Sequence, residues 1–240
     1  MNKKFLELAK KSKVIVIKVG SNILVNEKHV LRKKWLSSLI ADVKELQKRG
    51  SKIIIVSSGA IALGRNILSK KKLTNLHEKQ AAASIGQIQL SQQWQKAFAK
   101  LNIQSSQILI TAEDLNERRK YLNIRNTIYS LMDLNVVPII NENDTTSTEE
   151  IRFGDNDKLS AMIANALSAE LLILLSDVNG LYTANPKKSL QAKLITSVEE
   201  VDQQIEKYID KDLSEFGSGG MLAKINAAKL CIQSGSTMII

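Results

Sequence analysis

The chain has 240 residues, 44% of them hydrophobic and 24% charged, which suits one large globular domain or two small ones and argues against disorder. There are 34 Lys and Arg against 24 Asp and Glu, a formal net charge of +10, which suits an anionic partner or a general bias toward lysine. A single cysteine, Cys231, excludes an intrachain disulfide, and His29 and His77 alone give no zinc-type spacing.

The opening MNKKFLELAKKSK is basic but has no apolar run of the kind an export signal needs. No apolar run approaches the roughly 20 residues that span a bilayer. A soluble, cytoplasmic protein is expected. Val14 to Lys18 is a β-branched run that reads as a buried strand ending on a lysine. Leu36, Leu39, Ile40, Val43 and Leu46 form a helical stripe that Gly50 closes. Ile53 to Val56 is a second buried strand, followed by Ser57-Ser58-Gly59-Ala60 and a helix to about 68. Residues 76–100 read as a long helix, interrupted near Gly86. Ile108 to Ile110 is a short strand, and Tyr121, Ile124, Ile128, Leu131 and Met132 mark another helix. Val136 to Ile140 is an apolar strand, though Pro138 within it argues against a central position. The EEIRF segment reads as a small hairpin. Leu159 to Leu167 is helical, Leu171 to Leu175 is a strand, 221–234 is a helix and Thr237 to Ile240 is a last strand.

Buried strands alternating with amphipathic helices predict an α/β fold, a three-layer αβα sandwich with a mainly parallel central sheet. Ligands in such folds sit beyond the carboxyl ends of the strands, and five segments there carry unusual residues. Lys18 leaves its strand next to Gly20, where the backbone can approach a ligand closely; a plain strand-end lysine and turn glycine read the same way. Ser57-Ser58-Gly59-Ala60 offers an anion site at a helix N-terminus, or simply an N-cap. Asn141-Glu142-Asn143-Asp144 can bind an ammonium group or a metal, or form a solvated turn. Gly154-Asp155-Asn156-Asp157 places acids at a helix start, where capping accounts for some of them. Gly217 to Lys224 is a glycine-rich turn feeding a helix with an early lysine, without the Walker A spacing.

Two lysines, two glycine-rich loops and two Asp/Asn clusters at one kind of position fit phosphoryl transfer. That reaction needs cations on the moving group and helix N-termini on phosphates. Neither histidine falls in these loops, which argues against Ser-His-Asp or Cys-His catalysis. A non-catalytic nucleic-acid binder would call for aromatic or arginine-rich patches, and aromatics are only 4%.

The segments IKVGSN (17–22), IVSSGAIALGR (55–65), ASIGQ (83–87), NEND (141–144), EIRFGDNDKLSA (150–161), LLSDVNGLYTANP (174–186) and GSGGMLAK (217–224) resemble the amino acid kinase family in sequence and order. NEND followed by GDND resembles the branch that acts on glutamate; a member acting on another carboxylate or phosphate substrate is the alternative. The resemblance implies transfer from ATP, with Mg²⁺, to the γ-carboxylate of glutamate, the first step of proline biosynthesis. It implies that Lys18 and Lys224 reach the transferring phosphoryl group and that Asp157 orients both. Ser58, Gly59, Ala60, Asp144 and Asn156 would hold glutamate. Lys18, Gly20, Ser176, Asp177, Ser218, Gly219, Gly220, Met221, Leu222, Ala223 and Lys224 would hold ATP, with Asp155 assisting Mg²⁺. It further implies a homo-oligomer, functional coupling to a reductase that consumes the acyl phosphate, and no nucleic-acid or membrane partner. Residues 1–165 would form mainly the glutamate lobe and 166–240 mainly the ATP lobe of a single domain. Many relatives carry threonine where Ala223 stands, and threonine is more usual at Ser57 and Ser176. Many also carry a C-terminal PUA domain, which is not expected here, and a further strand past Ile240.

Overall fold

The computed structural model describes residues 3–70, 72–147, 155–184, 186, 189–203, 205, 206, 208 and 220–240. The expected EEIRF hairpin lies outside the described residues. The strands are β1 (Val14–Val19), β2 (Lys52–Ser57), β3 (Ser105–Ile110), β4 (Val137–Glu142), β5 (Leu171–Leu175), β6 (Leu181–Tyr182), β7 (Leu194–Ile195) and β8 (Thr237–Ile239). The helices are α1 (Lys3–Lys11), α2 (Ser21–Leu24), α3 (Lys33–Lys48), α4 (Ala60–Ile67), α5 (Leu76–Ala99), α6 (Ala112–Asn116), α7 (Arg118–Asp133), α8 (Asp155–Ala166) and α9 (Gly220–Gln233). Among the described residues no helix is long and apolar enough to cross a membrane.

Six strands form one sheet in the order β3-β4-β2-β1-β5-β8, and every neighbouring pair is parallel. β6 and β7 pair separately and antiparallel. An all-parallel sheet must be covered on both faces, which is why β1 and β2 read as unbroken apolar runs. Alternate residues then enter different cores. Ile15, Ile17 and Val19 pack with Leu36, Leu39 and Ile40 of α3 and with Leu90, Trp94 and Phe98 of α5. Val16 packs on the other face with Leu159 and Ile163 of α8 and Ala227 and Cys231 of α9. The result is the expected three-layer sandwich.

Three details differ from expectation. α5 runs unbroken through Gly86. That glycine is needed for contact, since a Cβ on it would lie 1.9 Å from the Ala60 carbonyl oxygen and 2.5 Å from the Gly64 nitrogen of α4. β4 is an interior strand despite Pro138. The proline pairs with Ser106 of β3, while the β2–β4 register begins one residue later at Ile139. The missing N–H therefore falls where that ladder has not yet begun. Finally, α1, α2 and α6 were not expected; α6 is set by a capping box in which Thr111 and Asp114 satisfy each other's backbone N–H.

Each of five helix-to-strand returns closes in the same way. Gly50, Asn102, Asn135, Ser168 and Gly235 all take positive φ, directly after α3, α5, α7, α8 and α9. In each, the N–H of the next residue returns to a carbonyl five residues back, as Ser51 does to Leu46 and Ala169 to Ala164. These turns line the amino-terminal rim of the sheet. The opposite rim is left to the loops that carry the unusual residues.

Candidate active site

Lys18 shares the parity of Val16 on β1, so its side chain leaves the sheet toward α8 and α9. Asp157, the third residue of α8, forms an ion pair with it through Oδ1. Lys224, in the opening turns of α9, donates from Nζ to Asp157 Oδ2 at 2.9 Å. Lys18 and Lys224 are each 7% exposed and Asp157 is 1% exposed. Two ammonium groups thus share one carboxylate out of water, leaving one positive charge in excess. Burial pushes the Lys18 ammonium below the ordinary lysine value; Asp157 opposes this and Lys224 adds to it. Such a cluster is a poor way to gain stability, because desolvating three charges offsets much of their attraction. It is a good way to hold two cations ready for an anion.

A second group lies on the front side of the same rim. Asn156 Nδ2 lies 3.0 Å from the Ser57 carbonyl oxygen, 2.9 Å from Ser58 Oγ and 3.0 Å from Asn141 Oδ1. The Asn156 Oδ1 atom is buried with no hydrogen-bond partner among the described residues. Asn141 accepts from the Glu142 N–H at 2.9 Å and donates from Nδ2 to Gln87 Oε1 at 2.8 Å. Ser57 Oγ accepts from Trp94 Nε1 at 2.9 Å. Gly59 takes φ +107 and caps α4, a conformation that a side chain would strain. Ala60, 2% exposed, is the first residue of that helix. Asp144 is half-buried in the turn after β4.

A third group gathers at the ends of β1 and β5. The Gly20 N–H donates to the Leu175 carbonyl at 3.1 Å. A Cβ on Gly20 would lie 3.3 Å from that oxygen and 3.7 Å from Lys18 Nζ. Asn22 Nδ2 donates to Asp177 Oδ2 at 3.2 Å, and Ser176 Oγ lies 3.4 Å from Asp177 Oδ1. Burial pushes the Asp177 carboxyl up, but hydrogen bonds from Asn22, its own N–H and Ser176, with the Lys224 charge, bring it below the usual carboxylate range. At the start of α9, Met221 and Leu222 pack into a small apolar cluster with Leu181 and Ile225, and Ala223 is half-buried. Ser218 and Gly219 lie outside the described residues, as does the side chain of Asp155.

The structure therefore brings Lys18, Asp157 and Lys224 together, and separately Ser58 and Asn156. The sequence reading placed Ser57 and Asn141 in candidate segments without giving either a role, and it assigned no role to Asn22, Gln87 or Trp94. Ser57 and Asn141 carried a signal: each is a polar residue at or next to the end of a strand, on the parity that is otherwise buried against α3 and α5. Among the described residues no group of three or more His, Cys, Asp or Glu is placed to hold a metal ion.

The model of the amino acid kinase family matches residues 13–240. The chain is 50% identical over 232 residues to a glutamate 5-kinase of Pelagibacter ubique, covering 96% of this chain and 63% of that protein. It is 45% identical over 230 residues to a glutamate 5-kinase of Paramagnetospirillum magneticum, covering 95% and 62%. It is 49% identical over 227 residues to one of Brucella abortus, covering 94% and 60%. The chain thus spans about three fifths of the length of these curated relatives. Among solved structures, Giardia carbamate kinase superposes with a TM-score of 0.64 at 18% identity, over 95% of this chain and 92% of that one. UMP kinase from Bacillus anthracis gives 0.61 at 15% identity, over 91% and 83%. These two likenesses are of fold.

Proposed function

Since the chain belongs to the amino acid kinase family, we propose that it transfers the γ-phosphoryl group of ATP to the γ-carboxylate of L-glutamate. The observation that carries this reading is the buried Lys18–Asp157–Lys224 cluster, together with relatives named glutamate 5-kinase at 45–50% identity. In the reaction, a γ-carboxylate oxygen attacks the γ-phosphorus in line. A new O–P bond forms while the bond to the β-phosphate oxygen breaks, giving L-glutamyl 5-phosphate and ADP. No general base is required, because a carboxylate of pKa about 4.3 is already ionised at neutral pH. The difficulty is the approach of two anions, so the chain's task is to supply positive charge where they meet.

Lys18 and Lys224 supply that charge from two elements, and Asp157 keeps both ammonium groups aimed at one place. Ser58, Asp144 and Asn156, with the backbone at Gly59 and Ala60, form the glutamate site; Asn156 Oδ1, without a partner among the described residues, suits a donor such as the substrate's ammonium group. Gly20, Ser176, Asp177 and the segment from Ser218 to Lys224 form the ATP site. Asp155 would assist in holding the Mg²⁺ that accompanies ATP, and that ion would shield phosphate charge. Residues 1–165 then contribute mainly the glutamate lobe and 166–240 mainly the ATP lobe. The reactive acyl phosphate calls for a reductase that consumes it. A cytoplasmic homo-oligomer completes the proposal.

The test is ADP release with glutamate, aspartate, N-acetylglutamate or UMP as acceptor. Glutamate-dependent turnover is expected, and preference for another acceptor would overturn the assignment. Lys18→Ala and Lys224→Ala are each expected to lower kcat by about 100-fold or more, the usual loss on removing one charge-stabilising donor. Near-normal turnover in either folded variant would remove that lysine from the mechanism.

A further inference from the structure

We infer that Gln87, on α5, is a positioning residue that fixes the orientation of the substrate-site amides, an inference that rests on the glutamate reading above. Two backbone groups make this orientation unambiguous. The Glu142 N–H can only donate, so the Asn141 atom 2.9 Å away is its oxygen and the other end is the NH₂. The Ser57 carbonyl can only accept, so the Asn156 atom beside it is its NH₂. It follows that Asn141 offers an N–H that needs an acceptor, and Gln87 Oε1 is that acceptor at 2.8 Å. It follows too that Asn156 turns its oxygen the other way, where it is buried and has no partner among the described residues. Without Gln87, the Asn141 NH₂ would lose its partner, and the simplest relief is rotation of the amide. That rotation would set an NH₂ against the Asn156 NH₂ and the Glu142 N–H, and would disturb the aim of Asn156.

Gln87 does not act alone. Gln80, Gln87 and Trp94 are spaced by seven residues, so they lie within about 20° per step on one stripe of α5. Each donates to or accepts from the same rim: Gln80 Nε2 to the Ser147 carbonyl at 3.3 Å, Gln87 with Asn141, and Trp94 Nε1 to Ser57 Oγ. The stripe therefore reaches the end of β2, the end of β4 and the turn beyond it. Gly86, next to Gln87, allows the backbones of α4 and α5 to touch at Ala60, the first residue of the helix over the proposed glutamate site. Helix α5 thus serves as a rigid template for the acceptor pocket and makes no ion pair with the lysine cluster.

The experiment compares Gln87→Leu, which removes the acceptor, with Gln87→Glu, which retains it. Gln87→Leu is expected to raise KM for glutamate about tenfold, with KM for ATP unchanged and kcat within about twofold. Gln87→Glu is expected to return KM for glutamate to near the parent value. A loss of stability with unchanged KM, or equal KM in both variants, would overturn the inference. A second readout does not depend on turnover: the Asn141 side-chain NH₂, observed by NMR in the intact chain, should be protected from exchange in the parent and in Gln87→Glu, and exposed in Gln87→Leu. Should the parent fail to phosphorylate glutamate, the glutamate reading falls while this NMR comparison still decides the role of Gln87. Should Gln87→Leu fail to fold, loss of that protection in Gln87→Met decides in favour and retained protection decides against.

Discussion

Asp157 sits between two lysines and is itself 1% exposed, so neutralising it leaves two buried ammonium groups facing each other. Removing one member of a buried ion pair costs about 3–5 kcal/mol, and Asp157→Asn is expected to fall in that range by urea denaturation. The same variant should be stabilised by added inorganic phosphate more than the parent is, because an anion can stand in for the lost carboxylate. An equal response of variant and parent would mark the cluster as structural only. The lowered Lys18 value sets a pH expectation. As pH rises, Lys18 loses its charge before a free lysine would, so kcat/KM for ATP should fall on an alkaline limb with a midpoint below 10.5. Between that midpoint and 10.5 the unfolded chain keeps a proton that the folded chain has released, so stability rises with pH in this window while activity falls. Lys18→Arg should move the limb upward if the variant retains turnover, and an unmoved limb would assign it to another group. Lys18 was legible in the sequence because a charge ending a buried apolar run is conspicuous. Gln87 stood in the ASIGQ segment, but its role was not legible, because its partner Asn141 lies 54 residues away and nothing local joins them.

At the scale of elements, the close crossing of α4 and α5 governs the side of the rim proposed to hold glutamate. A Cβ at position 86 would meet backbone atoms that cannot move aside as a flexible side chain does. Gly86→Ala is therefore expected to cost at least the upper part of the about 1–3 kcal/mol range for overpacking, read from a urea midpoint. A midpoint equal to that of the parent would show that the helices separate freely. Helix α8 is held from its far end by α7: Arg125 Nε donates to the Ala166 carbonyl at 3.1 Å and Tyr129 Oη to the Leu167 carbonyl at 3.1 Å. The helix that presents Asn156 and Asp157 is thus anchored at the end remote from them, where its carbonyls need donors. Helix periodicity made α3, α5 and α7 legible. It misled at Gly86 because a glycine read in isolation signals a break, whereas here it admits a neighbouring backbone. Pro138 misled in the same way: its penalty depends on which side of the strand already has a partner, and that is decided by β2 and β3.

Across the whole molecule, an all-parallel sheet sends every strand's carboxyl end to one rim, which is why loops scattered through the sequence gather there as a candidate site. The presence of such a site was legible, because small, acidic and amide residues recurred after apolar strands. The strand order was not, since it depends on pairings between distant segments such as Val16 with Leu172. Of the described basic residues, Lys18 and Lys224 belong to the buried cluster. The five repeated returns at the other rim have a practical meaning. Asn102, Asn135 and Ser168 hold a backbone conformation that costs a side-chain-bearing residue roughly 1 kcal/mol, more for serine than for asparagine. They stand a full strand length from the lysines. The fold therefore keeps the buried lysine cluster and its spare thermodynamic capacity at opposite ends, so a more durable variant can be engineered at one without redesigning the other.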